Sequence, residues 1–279
     1  MSVPSVQVPD EPPEAVIDTT VPSIARVYDL LLGGKDNYAS DRVFAEELAE
    51  SNPHLGRLVR DNRTFVGRAV RYLVQEAGVR QFLDVGTGLP TADNVHEVAQ
   101  RARPDARVVY VDNDPVVLTH ARALLTSTPQ GRTAYIDADA HDAATILDQA
   151  SRAGLDFDQP AAVLFAAILH FCVDAEAVVT PFRDALAPGS HLVISHAADR
   201  PDMAGVAAAY QQAMQVGTLR SPEQIEGLFG GFELVPPGLA ALPDWRPDPT
   251  GAAGPDRSAA GLFLAGVARK PASAGRGWV

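Results

Sequence analysis

Apolar residues follow two different rhythms along the chain. In the first part they recur at helical spacing: Ile24, Val27, Tyr28, Leu31 and Leu32 form one stripe. That stripe stops at Gly33-Gly34, a helix end followed by a polar turn through Lys35, Asp36, Asn37 and Tyr38. A second short helix is expected over residues 40–51. The strongest helix follows Pro53, with Leu55, Leu58, Val59, Asn62, Phe65, Val66, Ala69, Val70 and Leu73 on one face and Gly78 past its end.

From residue 81 the rhythm changes. Continuous apolar runs at 81–85, 107–111, 133–136, 161–169 and 191–195 alternate with helix-length segments, two of which open at Asp114-Pro115 and Asp174. Near-continuous apolar strands covered by helices predict a parallel sheet in an α/β domain. Beyond the fifth strand a helix is expected around 203–215. Ser221-Pro222-Glu223-Gln224 reads as a capping box that opens another helix, running to Phe229. Two further strands, at 232–235 and 262–269, flank a Pro/Gly-rich stretch, and the last is expected to be antiparallel. The predicted organisation is a disordered, Pro- and acid-rich arm at 1–20, a helical extension at 21–54, one α/β domain at 55–270 and a flexible tail at 271–279.

The first of these strands runs into QFLDVGTGLP. Gly86 and Gly88 can take backbone angles closed to other residues and let a ligand lie directly on the main chain. The neighbouring strand ends on Asp112, where an acid can accept both hydroxyls of a nucleoside ribose. A dinucleotide site normally asks for Gly or Ala at the third position of G-x-G-x-x-G, and here Thr91 stands there. A nucleoside ligand without a pyrophosphate, such as S-adenosylmethionine, suits the turn better, and Asp84 is placed to accept from its ammonium group. The third strand ends in Asp137-Ala138-Asp139, where an acid can accept the amino group of adenine. Asp139 or Asp142 can equally cap the helix that follows.

Composition narrows the options. The chain has 279 residues and a net charge of −12, which argues against a protein that tracks nucleic-acid phosphates. Cys172, read as a small buried residue, is the single cysteine, so no internal disulfide can form. The N-terminus has neither the basic start nor the apolar core of a secretory signal. The longest apolar run is too short to span a membrane. A cytoplasmic protein with a small-molecule substrate and no metal site is expected.

The motifs DVGTG, VDNDP and DADAHD together resemble the cofactor motifs of the class I S-adenosylmethionine-dependent methyltransferases. ARVYDLLLGGKDNYASDR and FLDVGTGLPTADNVHEVAQ resemble, more narrowly, a bacterial family of predicted methyltransferases with unassigned substrates. The resemblance covers roughly residues 21–270. It implies a Rossmann-like sheet of seven strands, mostly parallel with the last antiparallel, helices on both faces, and S-adenosylmethionine as cofactor. The expected contacts are Asp84, Gly86, Thr87, Gly88, Asp112, Asn113, Asp137, Ala138 and Asp139. Pro90 departs from the family pattern, which often has a third glycine there.

The N-terminal turn is expected to fold over the cofactor as a lid, with Tyr28, Gly33 and Asn37 near the methionine part. His170 and His196, each just past an expected strand end, are the candidate general bases, with a structural histidine the competing reading for each. Oxygen is slightly favoured over nitrogen as methyl acceptor. The alternatives are an NAD-dependent oxidoreductase and a non-catalytic cofactor sensor.

Overall fold

A computed structural model describes residues 17–124, 126–248 and 259–272. The expected arm at 1–20 and tail at 271–279 lie outside the described residues except for 17–20, 271 and 272.

The strands are β1 (Gln81–Val85), β2 (Arg107–Asp112), β3 (Arg132–Asp137), β4 (Ala162–Ala166), β5 (His191–Ala197), β6 (Glu233–Leu234), β7 (Ala240–Ala241) and β8 (Phe263–Arg269). They form one sheet in the order β3-β2-β1-β4-β5-β8-β6, with β7 also on β8. β1 to β5 are parallel and β8 runs antiparallel to β5.

Seven strands were expected, and the described sheet has eight. The addition is the two-residue β7, which pairs Ala240 with Ala265 further along the edge where β6 pairs Leu234 with Ala268. Pro236 and Pro237 lie between the two and have no N–H to give the ladder, so pairing breaks there and resumes beyond them.

Two strand ends move. The run 161–169 continues as apolar sequence, but the strand stops at Ala166, because Ala167 has a φ of +58° and turns the chain into a short 3-10 helix, Leu169–Phe171. The fifth strand runs on to Ala197, where β8 pairs with it through Ala197 and Phe263.

The helices are α1 (Ile24–Leu32), α2 (Ala39–Ser51), α3 (Leu55–Gln75), α4 (Val95–Ala102), α5 (Pro115–Leu124), α6 (Ala143–Arg152), α7 (Ala175–Ala185), α8 (Pro201–Met214) and α9 (Pro222–Gly227). Their start signals work as read. The Ser221 side chain accepts from the backbone of Gln224, whose own side chain accepts from Ser221, and Asp174 caps α7 at Ala177.

One apolar cluster fills the sheet face under α3, α4 and α8, and a second fills the face under α6 and α7. Every position of the predicted α3 stripe is buried, and each large apolar member contributes about 1.5–3 kcal/mol of transfer free energy. Asn62 is the polar member of that stripe. Its amide donates to the Tyr28 hydroxyl at 2.9 Å and its carbonyl accepts from Ser195 Oγ at 2.6 Å. Ser195 Oγ in turn accepts from Ala167 N, and Tyr28 donates to Val59 O at 3.2 Å. This chain of bonds ties α1, α3, β5 and the end of β4 together where the strands deliver their carboxyl ends.

Candidate functional site

Those strand ends and the start of α1 enclose a cavity of about 350 Å³. Its floor is the turn after β1. Gly86 N and Thr87 N both donate to Val111 O, at 2.9 and 3.1 Å, which holds the turn against β2. Gly86 (φ +72°) and Gly88 (φ +66°) are left-handed. A Cβ on Gly86 would lie 1.9 Å from Ile168 Cδ1, whereas one on Gly88 would meet nothing within 4 Å. The turn is therefore packed on one side and open to the cavity on the other.

Four acids, Asp84, Asp112, Asp114 and Asp139, line the cavity. Asp112 accepts from Gly88 N at 2.8 Å and from Asp114 N at 3.0 Å, so its carboxylate braces the glycine turn. Each oxygen keeps a second lone pair for a hydroxyl. Burial pushes the Asp112 carboxyl up, and the bonds from Asp114 and Gly88 oppose that shift. Asp84 is buried and accepts from Thr87 Oγ1 at 3.0 Å. Burial raises its pKa to about 6, against the pull of the nearby Arg63 charge. Asp139 accepts from His141 N at 2.9 Å and from Asn113 Nδ2 at 3.3 Å, bonds that hold its carboxyl below the usual range, led by the one from His141 N. Asp142, not Asp139, caps α6, through Thr145 N. The cap reading thus belongs to Asp142.

Arg63 was not anticipated. It lies on α3 beside Asn62 and lines the cavity, and its Nη2 is buried without a hydrogen-bond partner. Nothing in its helical position distinguishes it in sequence from other arginines of α3.

Of the residues read as cofactor contacts, Tyr28, Asp84, Gly86, Thr87, Gly88, Asp112, Asn113, Ala138 and Asp139 line this cavity, and Gly33, Asn37 and Asp137 do not. Gly33 caps the far end of α1 at φ +90°. Asn37 donates to Gly34 O and accepts from Arg42. The extension meets the cavity instead through the opposite end of α1, at Ser23, Ile24, Ala25 and Tyr28, and Ser23 Oγ donates to Asp114. Asp137 ends the edge strand β3 and is exposed.

The two histidines separate. His170, on the 3-10 turn after β4, is 9% exposed, and its Nδ1 has no partner. Burial, reinforced by the neighbouring His196 and Arg220, holds it well below the ordinary histidine pKa, so it is neutral at pH 7. It lines a second, smaller cavity of about 60 Å³.

His196 is fully buried with both nitrogens engaged: Nδ1 donates to Ala197 O at 2.7 Å and Nε2 accepts from Arg220 at 2.9 Å. Burial pushes its pKa down to about 4. Because β5 extends past Ser195, His196 is a ladder residue opposite Leu264 and has no nitrogen free for a substrate. Arg220 also donates to Leu169 O, Cys172 O and Val173 O, so the pair braces the turn that carries His170. Cys172 is buried, as expected, and lines the larger cavity.

The sequence profile described as S-adenosyl methyltransferase matches residues 10–271. The chain belongs to this family. A crystal structure of a candidate methyltransferase from Thermobifida fusca is 45% identical, covers 91% of this chain and 97% of its own, and superposes with a TM-score of 0.83. A family 574 protein (DUF574) from Streptomyces avermitilis is 42% identical over 91% of this chain and 99% of its own, with a TM-score of 0.87. An O-methyltransferase family protein from Burkholderia thailandensis is 16% identical over 78% of this chain and 60% of its own, with a TM-score of 0.50, and shares the fold. No curated protein matches.

This methyltransferase uses S-adenosylmethionine, and its cavity fits that group chemically. Arg63 brings a guanidinium to the cavity, where its charge faces the Asp84 carboxyl and its Nη2 keeps a donor without a hydrogen-bond partner. The space at Gly88 leaves the main chain open to a ligand. Among the described residues no group of His, Cys, Asp and Glu could hold a metal ion, and no helix is long and apolar enough to cross a membrane.

Proposed function

We propose that this methyltransferase transfers the methyl group of S-adenosylmethionine to oxygen on a small molecule. One observation carries the reading: the acid-lined cavity at the glycine turn shares walls with a second, apolar space that His170 helps to line. The bound cofactor supplies an electrophilic methyl group on a good leaving group, so alignment provides most of the rate effect. Asp112 is assigned the ribose hydroxyls and Asp139 the adenine edge. Asp84 is assigned the cofactor's ammonium group and Arg63 its carboxylate, across the Gly86–Gly88 turn. Tyr28, fixed by Asn62 and Val59, forms the wall between the two spaces. His170, the candidate base, is assigned the acceptor hydroxyl as a hydrogen-bond partner that orients it toward the methyl group, because the burial that keeps the imidazole neutral opposes its protonation.

The N-terminal segment 21–54 is assigned the role of a cover, supported by Ser23 bonding to Asp114 over the site. Residues 55–270 are the methyltransferase domain in this reading.

Calorimetry with S-adenosylhomocysteine on the full chain tests the cofactor assignment. Asp112→Ala should weaken binding more than tenfold, because an acceptor for charge-assisted hydrogen bonds is worth about 1.5–3 kcal/mol. Unchanged affinity would remove Asp112 from the ribose. Incubation with methyl-labelled cofactor and cell extract tests the reaction. A low-molecular-weight methyl ether is expected; an N-methyl product would overturn the oxygen assignment, and cofactor binding without labelled product would favour a sensor.

A further inference from the structure

The ribose assigned to Asp112 and the amino-acid part assigned to Asp84 and Arg63 are joined in the cofactor through its sulfonium. That cation therefore falls between them, over the open side of the Gly86–Gly88 turn. Ile24, Ala25 and Tyr28 of α1 close the cavity there, together with Ile168 and Phe171 beyond β4. Bonds through Asn62 and Ser195 connect Tyr28 to Ala167, whose neighbour Ile168 packs against Gly86. The Arg63 charge acts on both the Tyr28 hydroxyl and the Asp84 carboxyl, so these two groups share one end of the cavity.

Tyr28 offers this position a ring and little else. Its hydroxyl accepts from Asn62 Nδ2 at 2.9 Å and donates to Val59 O at 3.2 Å. Burial pushes its pKa up, so it stays a neutral phenol and supplies no negative charge of its own. The residue is nevertheless only half-buried, because the ring lines the cavity. Among the described residues no other ring packs on it and no cation lies over it. Phe171, also shared by the two cavities, is by contrast engaged with His170 at 4.3 Å and Tyr210 at 5.0 Å between ring centroids.

Behind Tyr28 lies the smaller cavity, a chamber whose lining carries no fixed charge. A cation on a ring in such surroundings is attracted more strongly than at an exposed site, because little water competes for it.

We infer that Tyr28 distinguishes the charged cofactor from its neutral product: its ring holds the sulfonium and loses that hold once the methyl group has left. The inference rests on the cofactor reading above. In the transfer the acceptor's lone pair forms the new bond to the methyl carbon, and the electrons of the broken S–C bond remain on sulfur. The product is a neutral thioether, S-adenosylhomocysteine, which gives the ring no charge to attract. Because the charge is already leaving sulfur in the transition state, Tyr28 acts on cofactor binding and product release rather than on the rate of transfer.

The test is calorimetry on the full chain at pH 7.5 with S-adenosylmethionine and S-adenosylhomocysteine, read as the ratio of their affinities. Tyr28→Leu removes the ring and should shift that ratio at least about threefold toward S-adenosylhomocysteine. Tyr28→Phe keeps the ring, gives up both hydroxyl bonds and should leave the ratio as in the wild type. A displaced α1 would weaken both ligands alike, so the ratio separates cation binding from a structural role. An unchanged ratio in Tyr28→Leu, or an equal shift in Tyr28→Phe, would overturn the inference. If Tyr28→Leu fails to fold, pentafluorophenylalanine at position 28 keeps the ring's shape and reverses its quadrupole; the ratio should shift in the same direction, and a ratio equal to that of Tyr28→Phe would overturn the inference. A wild-type protein that binds neither ligand would sink the cofactor reading instead.

Discussion

Asp84→Asn should make the cofactor-free protein more stable at neutral pH while weakening its hold on the cofactor. Asp84 sits on β1 with 6% exposure, and burial raises its pKa from an ordinary 3.8 to about 6. The folded state therefore binds the Asp84 proton more tightly than the unfolded chain does. That stabilising contribution is present in full below pH ~3.8 and is lost as pH rises through about 6.

At pH 7.5 the folded protein consequently carries a buried carboxylate at a cost of up to about 3 kcal/mol, from roughly 1.4 kcal/mol for each unit of pKa displacement. Asparagine keeps the shape and an acceptor for Thr87 Oγ1 but places an amide where the second oxygen stood, and an unpaired amide gives back about 1–3 kcal/mol. A net gain of about 1 kcal/mol remains, or about 2–4 °C in Tm for a chain of this size. Thermal unfolding of both proteins at pH 7.5 and pH 4.5 is the assay. The gain should shrink or vanish at pH 4.5, where wild-type Asp84 is already mostly protonated. An equal gain at both values, or none at pH 7.5, would refute the burial argument. In the same samples S-adenosylhomocysteine should bind the variant at least tenfold more weakly at pH 7.5, because a neutral amide cannot compensate an ammonium.

Two further substitutions probe the site from α3. Arg63→Met should cost S-adenosylhomocysteine about tenfold or more in affinity by calorimetry while hardly affecting a decarboxylated analogue, because the lost partner is the carboxylate; equal losses with both ligands would count against that assignment. Asn62→Ala should lower unfolding free energy by about 1–3 kcal/mol in urea, because it leaves the Tyr28 and Ser195 hydroxyls short of a buried partner. A change below about 0.5 kcal/mol would show that the network is not structural.

Much of this protein follows from local rules. The α3 stripe, the apolar strands β1 to β5 and the glycine turn are legible because burial on both faces of a strand, or on one face of a helix, leaves a periodic mark. Gly86, Gly88, Asp112 and Asp139 sit within a few residues of strand ends, so their position in the chain nearly specifies their position in space. The misreadings occurred where pattern and geometry part. Apolar sequence runs through 161–169, yet the positive φ of Ala167 ends the strand early and creates the turn that carries His170. Gly33 and Asn37 have the composition of a hinge, yet they sit away from the cavity because α1 reaches it with its other end.

Fold class followed from hydrophobic period, and the methyl donor was implied by short motifs that resemble a known family and is shown by the family match, since period and motif are properties of consecutive residues. Which histidine is free was decided only when β8 paired against β5, enclosing His196 in the ladder and leaving Arg220 to occupy its second nitrogen. Likewise Arg63, Tyr28 and the charge-free chamber come from helices up to about 190 residues apart in the chain. No local pattern records such meetings, because they arise from packing between elements rather than from the order of residues within one.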